Sequence, residues 1–215
     1  MTLEKTRDEL EKANQKVSRS WAKWAPVYDK SIGFLERHVF GPEHRAWACS
    51  KATGKTLEVA IGTGLNLGHY PRDVILTGID LTPEMLAIAR ERASTLGVDA
   101  ELKEGDAHAL QFPDESFDTV IGTYTLCNIP DPRRAVAEMK RVLRPLGKLI
   151  LVDHIRSTVK PIYWFQKGLE AITSRLEGEH MTRRSIEHVK AEGFEIIERE
   201  RLRAGIIERL VATKR

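Results

Sequence analysis

The segment Leu57-Glu58-Val59-Ala60-Ile61-Gly62-Thr63-Gly64-Leu65-Asn66 constrains the fold more than any other stretch of this chain. It reads as an apolar strand running into a glycine-rich turn. A second apolar strand, Val74 to Asp80, then delivers a carboxylate to the same side. Glycines at such a turn let backbone approach a ligand closely, and a helix opening just after them offers free N–H groups. An acid at the tip of the neighbouring strand can accept both hydrogen bonds of a ribose diol. Together they predict an α/β sheet that holds a nucleoside-bearing cofactor at the carboxyl ends of its strands.

The rest of the chain follows the same plan. Thr82-Pro83-Glu84 predicts a helix start, with a hydroxyl N-cap, proline at the first position and an acid in the first turn; Gly97 stops that helix. Further strands are expected over Val98 to Leu102, Phe117 to Tyr124 and Lys148 to His154. Leu149-Ile150-Leu151-Val152 is apolar on both faces, as a central strand covered by helices must be. Asp131-Pro132 opens a helix that Pro145 and Gly147 are expected to end. A helix is expected from Thr2 to about Lys23, limited by Pro26, and another from Phe34 to Ala52. Val159 to Leu176 reads as helical and leads to a Thr182-capped helix ending at Gly193. Phe194 to Arg201 and Ile206 to Thr213 are joined by a short turn at Ala204-Gly205. No parallel crossover fits there, so the two pair as an antiparallel hairpin.

The 215 residues suffice for one domain with a full core. A hydrophobic content of 41% and a charged content of 30% suit a soluble globular chain. A net charge of +3 is too small to indicate a nucleic-acid partner. Cys49 and Cys127 build no disulfide framework and suit a reducing compartment. No apolar run reaches membrane-spanning length and the N-terminus is charged from Glu4 onward, so a cytoplasmic protein is expected. The histidines show no metal-ligand spacing, and no metal is expected.

Glycine spacing narrows the cofactor. A dinucleotide turn needs G-x-G-x-x-G, and here Gly68 falls one residue late after Gly62 and Gly64. Counting back in twos from Gly62 gives Ala60 and Glu58. The resulting E-x-A-x-G-x-G is one substitution from the E/D-x-G-x-G-x-G turn of class I S-adenosylmethionine (SAM) methyltransferases.

From about Lys55 to its C-terminus the chain resembles that family. The resemblance implies a Rossmann-like seven-stranded sheet with its last strand antiparallel, N-terminal helices, and a helical insertion after the fifth strand. Residues 1–215 then form one methyltransferase domain, with 1–53 as an N-terminal helical cap and 155–181 as an acceptor-site insertion. Trp24-Ala25-Pro26-Val27-Tyr28-Asp29-Lys30 is similar to the N-terminal signature of the branch holding quinone C-methyltransferases and bacterial phosphatidylethanolamine N-methyltransferases. Asp153-His154-Ile155 and Thr182-Arg183-Arg184 are similar to segments of thiol S-methyltransferases. Two departures, Ala60 for the first glycine and Leu146 in a turn where the family has glycine, are not expected to demand positive φ.

The resemblance also implies roles. Ala60, Gly62, Thr63 and Gly64 carry the backbone beneath the methionine portion of SAM, and Glu58 helps hold its amino group. Asp80 binds the ribose, Leu81 packs on adenine, Asp106 accepts from the adenine amine, and the Ala107 N–H faces a ring nitrogen. Thr123 lies beside the transferred methyl group. Tyr28 folds over the cofactor or is a plain core aromatic. His154 and Asp153, at the end of a central strand, are the candidate acceptor-side base, or else His154 only bonds a loop.

Tyr163-Trp164-Phe165 with Leu169, Ile172 and Leu176 suggests an apolar roof over the acceptor, hence an apolar or amphipathic small molecule or lipid. Phosphatidylethanolamine N-methylation leads, with quinone C-methylation and thiol S-methylation as alternatives. Trp21 and Trp24 among lysines suit either core packing or membrane contact by the N-terminal helix. Outside this class stand a nicotinamide oxidoreductase, opposed by Gly68 and the hairpin, and a non-catalytic SAM-binding module.

Overall fold

The computed structural model describes residues 6–176 and 180–215. The Thr2 to Lys5 part of the expected first helix, and 177–179 of the insertion, lie outside the described residues. A seven-stranded sheet runs in the order β3-β2-β1-β4-β5-β7-β6. Its strands are β1 (Lys55–Val59), β2 (Ile75–Asp80), β3 (Ala100–Glu104), β4 (Phe117–Thr123), β5 (Leu143–His154), β6 (Glu195–Leu202) and β7 (Ile207–Thr213). β1 to β5 pair in parallel; β7 inserts antiparallel between β5 and β6. The terminal hairpin and the antiparallel last strand are as the sequence predicts.

Alternation along β5 divides the core. Leu149 and Leu151 join Leu57, Val120 and Leu210 on one face, while Ile150 and Val152 join Ile121 and Val211 on the other. The first face is covered by α4 (Pro132–Val142) and α6 (Ser185–Ala191), and the second by α2 (His44–Cys49). α3 (Pro83–Leu96) covers a third cluster with Leu67 and Leu76.

The N-terminus departs from expectation. Pro26 does not limit α1, which runs Arg7–Leu35 with Pro26 inside it. A mid-helix proline forfeits a hydrogen bond and costs roughly 3 kcal/mol, but both halves of α1 are held by side chains. Leu10, Asn14 and Ala25 are buried, and Trp21 meets Tyr28 edge-on with centroids 5.7 Å apart. The expected helix from Phe34 to Ala52 is instead the end of α1, a π-helical turn at Glu36–Phe40, Gly41, and the short α2.

Smaller corrections have local causes. No α-helix follows the glycine turn; the chain makes only a 3₁₀ turn at Leu67–His69. Thr82 precedes α3 but makes no side-chain cap bond, because its N–H and hydroxyl both serve Asp80. α4 ends at Val142, with Leu143 already extended (ψ 137°) as the start of β5 and Pro145 two residues further on. α6 begins at Ser185, and the Thr182 N–H donates to Glu170. Ala60 (φ 55°) and Leu146 (φ 64°) both occupy the left-handed region, contrary to expectation. At both positions the glycine of the family pattern would relieve backbone strain.

Candidate cofactor and active site

A cleft opens at the carboxyl ends of β1 to β4, where such sheets bind ligands. Its wall comes from the turns after those strands: Ala60 to Thr63, Asp80 to Thr82, Gly105 to His108, and Thr123 to Thr125. α1 closes it with Asn14, Val17, Trp21 and Tyr28, spaced to share one helical face.

The glycine turn is anchored by Asp80. Its carboxylate, only 8% exposed, accepts the Gly62 N–H on one oxygen and the Thr82 N–H on the other, each at 2.8 Å. Burial pushes this carboxyl up, against those N–H bonds. The Thr82 hydroxyl and the Leu81 N–H face the same carboxylate. The two glycines divide the labour differently from expectation. A Cβ on Gly62 (φ 59°) would meet nothing within 4 Å, so this backbone is open for close approach. A Cβ on Gly64 would strike Leu67 at 2.6 Å and Ala89 at 3.2 Å; this glycine packs the turn on α3 and does not line the cleft.

Asp106 sits opposite. It accepts from Asn14 Nδ2 at 2.8 Å, the His108 N–H at 2.9 Å and the His108 ring at 2.6 Å. Burial alone would raise its carboxyl, but the His108 bonds win and hold it below the usual range. Leu81 and Ala107 line the wall beside it, with the Leu81 carbonyl accepting from Ser18 at 3.3 Å.

At the other end, Thr123 accepts from Arg45 at 3.1 Å and from Asn66 at 3.0 Å. Arg45 also donates to Asn66 and is clasped by Glu36 at 2.7 Å. Tyr28 joins this group through Arg45, and burial raises its phenol. Glu58 lies beneath the turn, not on the cleft wall. Asn66 and the Tyr70 hydroxyl each donate to it at 2.7 Å, and burial pushes its carboxyl to about 7.

Asp153 and His154 are also outside the wall. Asp153 is buried, accepts from the Thr125 N–H and the Ser185 hydroxyl, and is pushed by burial to about 6. The His154 ring stacks with Phe40 and Tyr124. The expected aromatic roof does not lie on the wall of this cleft. Among the described side chains none of α5 (Lys160–Leu176) lines the cleft, and Trp164, Phe165 and Ile172 are exposed. The described residues hold no group of three or more His, Cys, Asp or Glu arranged for a metal.

The sequence reading missed Asn14, Arg45, Tyr124 and Asn128, all on the wall. Asn14 carried a signal: it lies on the helical face of Leu10 and Val17, where an apolar residue was due. Arg45 is a single charge ahead of Ala46-Trp47-Ala48-Cys49. Three buried atoms on the wall, Asn14 Oδ1, Tyr124 OH and Asn128 Oδ1, have no hydrogen-bond partner. Orphaned polar atoms around an open glycine, with one acid at each side, fit a ligand carrying ribose, a heteroaromatic amine and an amino-acid end.

Comparison with known proteins agrees with this geometry. Residues 57–151 match the family model described as a methyltransferase domain. The chain is 40% identical over 163 residues to a phosphatidylethanolamine N-methyltransferase of Cereibacter sphaeroides, covering 74% of this chain and 78% of the relative. It is 34% identical to a demethylmenaquinone methyltransferase of Deinococcus radiodurans over 65% of this chain, and spans only 60% of that relative's length. Among solved structures, a SAM-dependent methyltransferase of Thermotoga maritima superposes with a TM-score of 0.72 at 20% identity, covering 92% of this chain and 99% of that one.

Proposed function

Since this chain belongs to the class I SAM-dependent methyltransferases, we propose that it methylates the amine of an amphipathic lipid, phosphatidylethanolamine first. The supporting observation is an exposed apolar stripe beside the cleft. Trp24, Val27, Phe34 and Leu35 are all solvent-exposed on α1. At about 100° per residue they fall within an arc of about 100°, next to the face that carries Tyr28 into the cleft. Lys23 and Lys30 border the stripe on one edge, with Arg37 just beyond the helix, as beside a membrane interface. Among the described residues no helix is long and apolar enough to cross a membrane. A peripheral contact would bring a lipid headgroup to Tyr28 without extracting its acyl chains. The name of the 40% identical relative points to the same acceptor.

SAM, when bound, supplies a methyl group on a sulfonium and departs as a neutral thioether, so no acid is needed. In this reading Asp80 holds the ribose, and Asp106 with Asn14 holds the adenine amine. Gly62 and Ala60 let the methionine portion lie against backbone, and Thr123 borders the methyl group. The chain's work is alignment and exclusion of water, worth up to roughly 7–11 kcal/mol of barrier. Tyr28, with its phenol raised, remains protonated and donates to a headgroup oxygen of the acceptor, leaving the amine lone pair free, instead of serving as a base. Asp153 and His154, outside the wall, support the loop after β4. The amine sheds its proton to solvent before it is enclosed.

The test is methyl transfer from labelled SAM to phosphatidylethanolamine vesicles, to a demethylated quinone and to a small thiol, in parallel. Faster labelling of the vesicles supports the proposal. Transfer to quinone or thiol with none to lipid overturns it.

A further inference from the structure

Thr63 is the hinge of the cofactor turn. Both of its neighbours are glycines at positive φ, 59° for Gly62 and 78° for Gly64. A peptide between two glycines has little intrinsic preference, since neither restricts its backbone. Yet the Gly62 N–H must point at Asp80 and the open side must face the cleft. The Gly64 N–H donates to the Ile61 carbonyl at 3.0 Å and braces the turn, which leaves the Thr63 hydroxyl and carbonyl to be fixed from outside.

Two residues do so, and neither lines the cleft. Asp29 of α1 accepts from the Thr63 hydroxyl at 2.6 Å. Arg92 of α3 donates to the Thr63 carbonyl and also to its hydroxyl oxygen, at 3.3 Å. The same guanidinium pairs with Asp29 through its other nitrogen. Both ends of the Thr63 residue are therefore held by one charged pair. Thr63 itself is 1% exposed, so these bonds are shielded at the turn even though the outer ends of the pair reach solvent.

Asp29 follows Tyr28 directly. Two consecutive helical residues thus do different work: Tyr28 enters the cleft, and Asp29 grips the turn behind it. The helix that supplies Asp29 also supplies Asn14, Val17 and Trp21 to the wall.

We propose that Asp29 and Arg92 are a positioning pair that couples the seating of α1 over the cleft to the shape of the Gly62-Thr63-Gly64 turn. When α1 lifts, Asp29 leaves, Arg92 loses its counter-ion, and Thr63 is freed between its glycines. When α1 seats, the turn is set and the cleft is walled in the same event. The pair therefore tunes SAM affinity without touching SAM. This rests on the cleft being the SAM site.

The experiment is a double-mutant cycle on the full chain: Asp29→Ala, Arg92→Ala and both together, with Asp29→Asn as the milder variant should Asp29→Ala fail to fold. SAM affinity is read by calorimetry, and backbone exchange is followed with deuterium. Each single substitution is expected to weaken SAM binding about tenfold, and the double variant no more than either single, as for groups acting as one unit. Exchange should rise in the Gly62–Gly64 turn and in α1 together, including in Arg92→Ala, where α1 itself is unchanged. Wild-type SAM affinity in every variant, with only stability lowered, overturns the pair's positioning role. So does exchange that rises only around the substituted residue. Failure of the wild-type chain to bind SAM would instead overturn the reading of the cleft.

Discussion

Leu146→Gly should stabilise this protein, and Leu146→Ala should not. Leu146 stands in the turn before the straight part of β5 with φ 64°, and its N–H donates to the Lys214 carbonyl at 2.9 Å, which fixes the backbone there. A non-glycine residue in the left-handed region costs roughly 1–2 kcal/mol. Glycine removes that strain but returns roughly 0.4–1 kcal/mol through the freer unfolded chain. The side chain itself contributes little, because Leu146 is 79% exposed. Alanine deletes the same side chain and keeps the strain, so it isolates the backbone effect. The difference between the two variants should be about 1 kcal/mol in favour of glycine, or roughly 2–4 °C in Tm for a chain of this size. Urea unfolding, with an unchanged slope against denaturant, reads it directly. An alanine variant equal to or more stable than the glycine variant would refute the argument.

Glu58→Gln should change the pH dependence of stability. The Glu58 carboxyl is pushed to about 7 from an ordinary 4.5, so the folded chain holds a proton that the unfolded chain has released between those values. Its contribution is full below about 4.5 and is lost as pH rises through 7. The variant should therefore gain on wild type by roughly 1–3 kcal/mol between pH 5 and pH 8, and a constant gap in unfolding experiments would contradict this. Arg45→Ala, which strips Glu36 and Thr123 of a buried partner, should cost roughly 3–5 kcal/mol, measured by chemical denaturation; a loss under 1 kcal/mol would show the cluster is not held by its charge. Trp164→Glu with Phe165→Glu should leave SAM affinity unchanged, because α5 does not line the cleft, and calorimetry showing weaker SAM binding would restore α5 to the site.

The central sheet was legible because its signals are local and redundant. Leu149 to Val152 could be only a strand covered on both faces, and the short turn at Ala204-Gly205 permits only a hairpin. That Gly62, Asp80, Leu81, Asp106 and Ala107 share one cleft wall was legible because they sit at strand ends, where topology alone converges them. Long-range choices were not. Pro26 marks a helix end by local rule, and long-range contacts on both sides of it, among them the burial of Asn14 and Ala25 and the anchoring of Asp29, carry α1 through it. Ala60 and Leu146 looked tolerable because a sequence does not display φ. Arg45 reaches Thr123 across 78 positions of chain, a partnership that no spacing rule reports. Asp153 and His154 lie at the right end of the right strand, but Tyr124 rather than either of them lines the cleft.

The most direct test of the proposed activity is where the methyl group goes. The full chain would be incubated with SAM bearing a deuterated methyl group and with vesicles of phosphatidylethanolamine, and the lipid analysed by tandem mass spectrometry. The account predicts a deuterated methyl group on the headgroup nitrogen, in amounts that fall sharply for a chain carrying Asp80→Ala. Unlabelled lipid from a chain that binds SAM, or label on any atom other than that nitrogen, would contradict it.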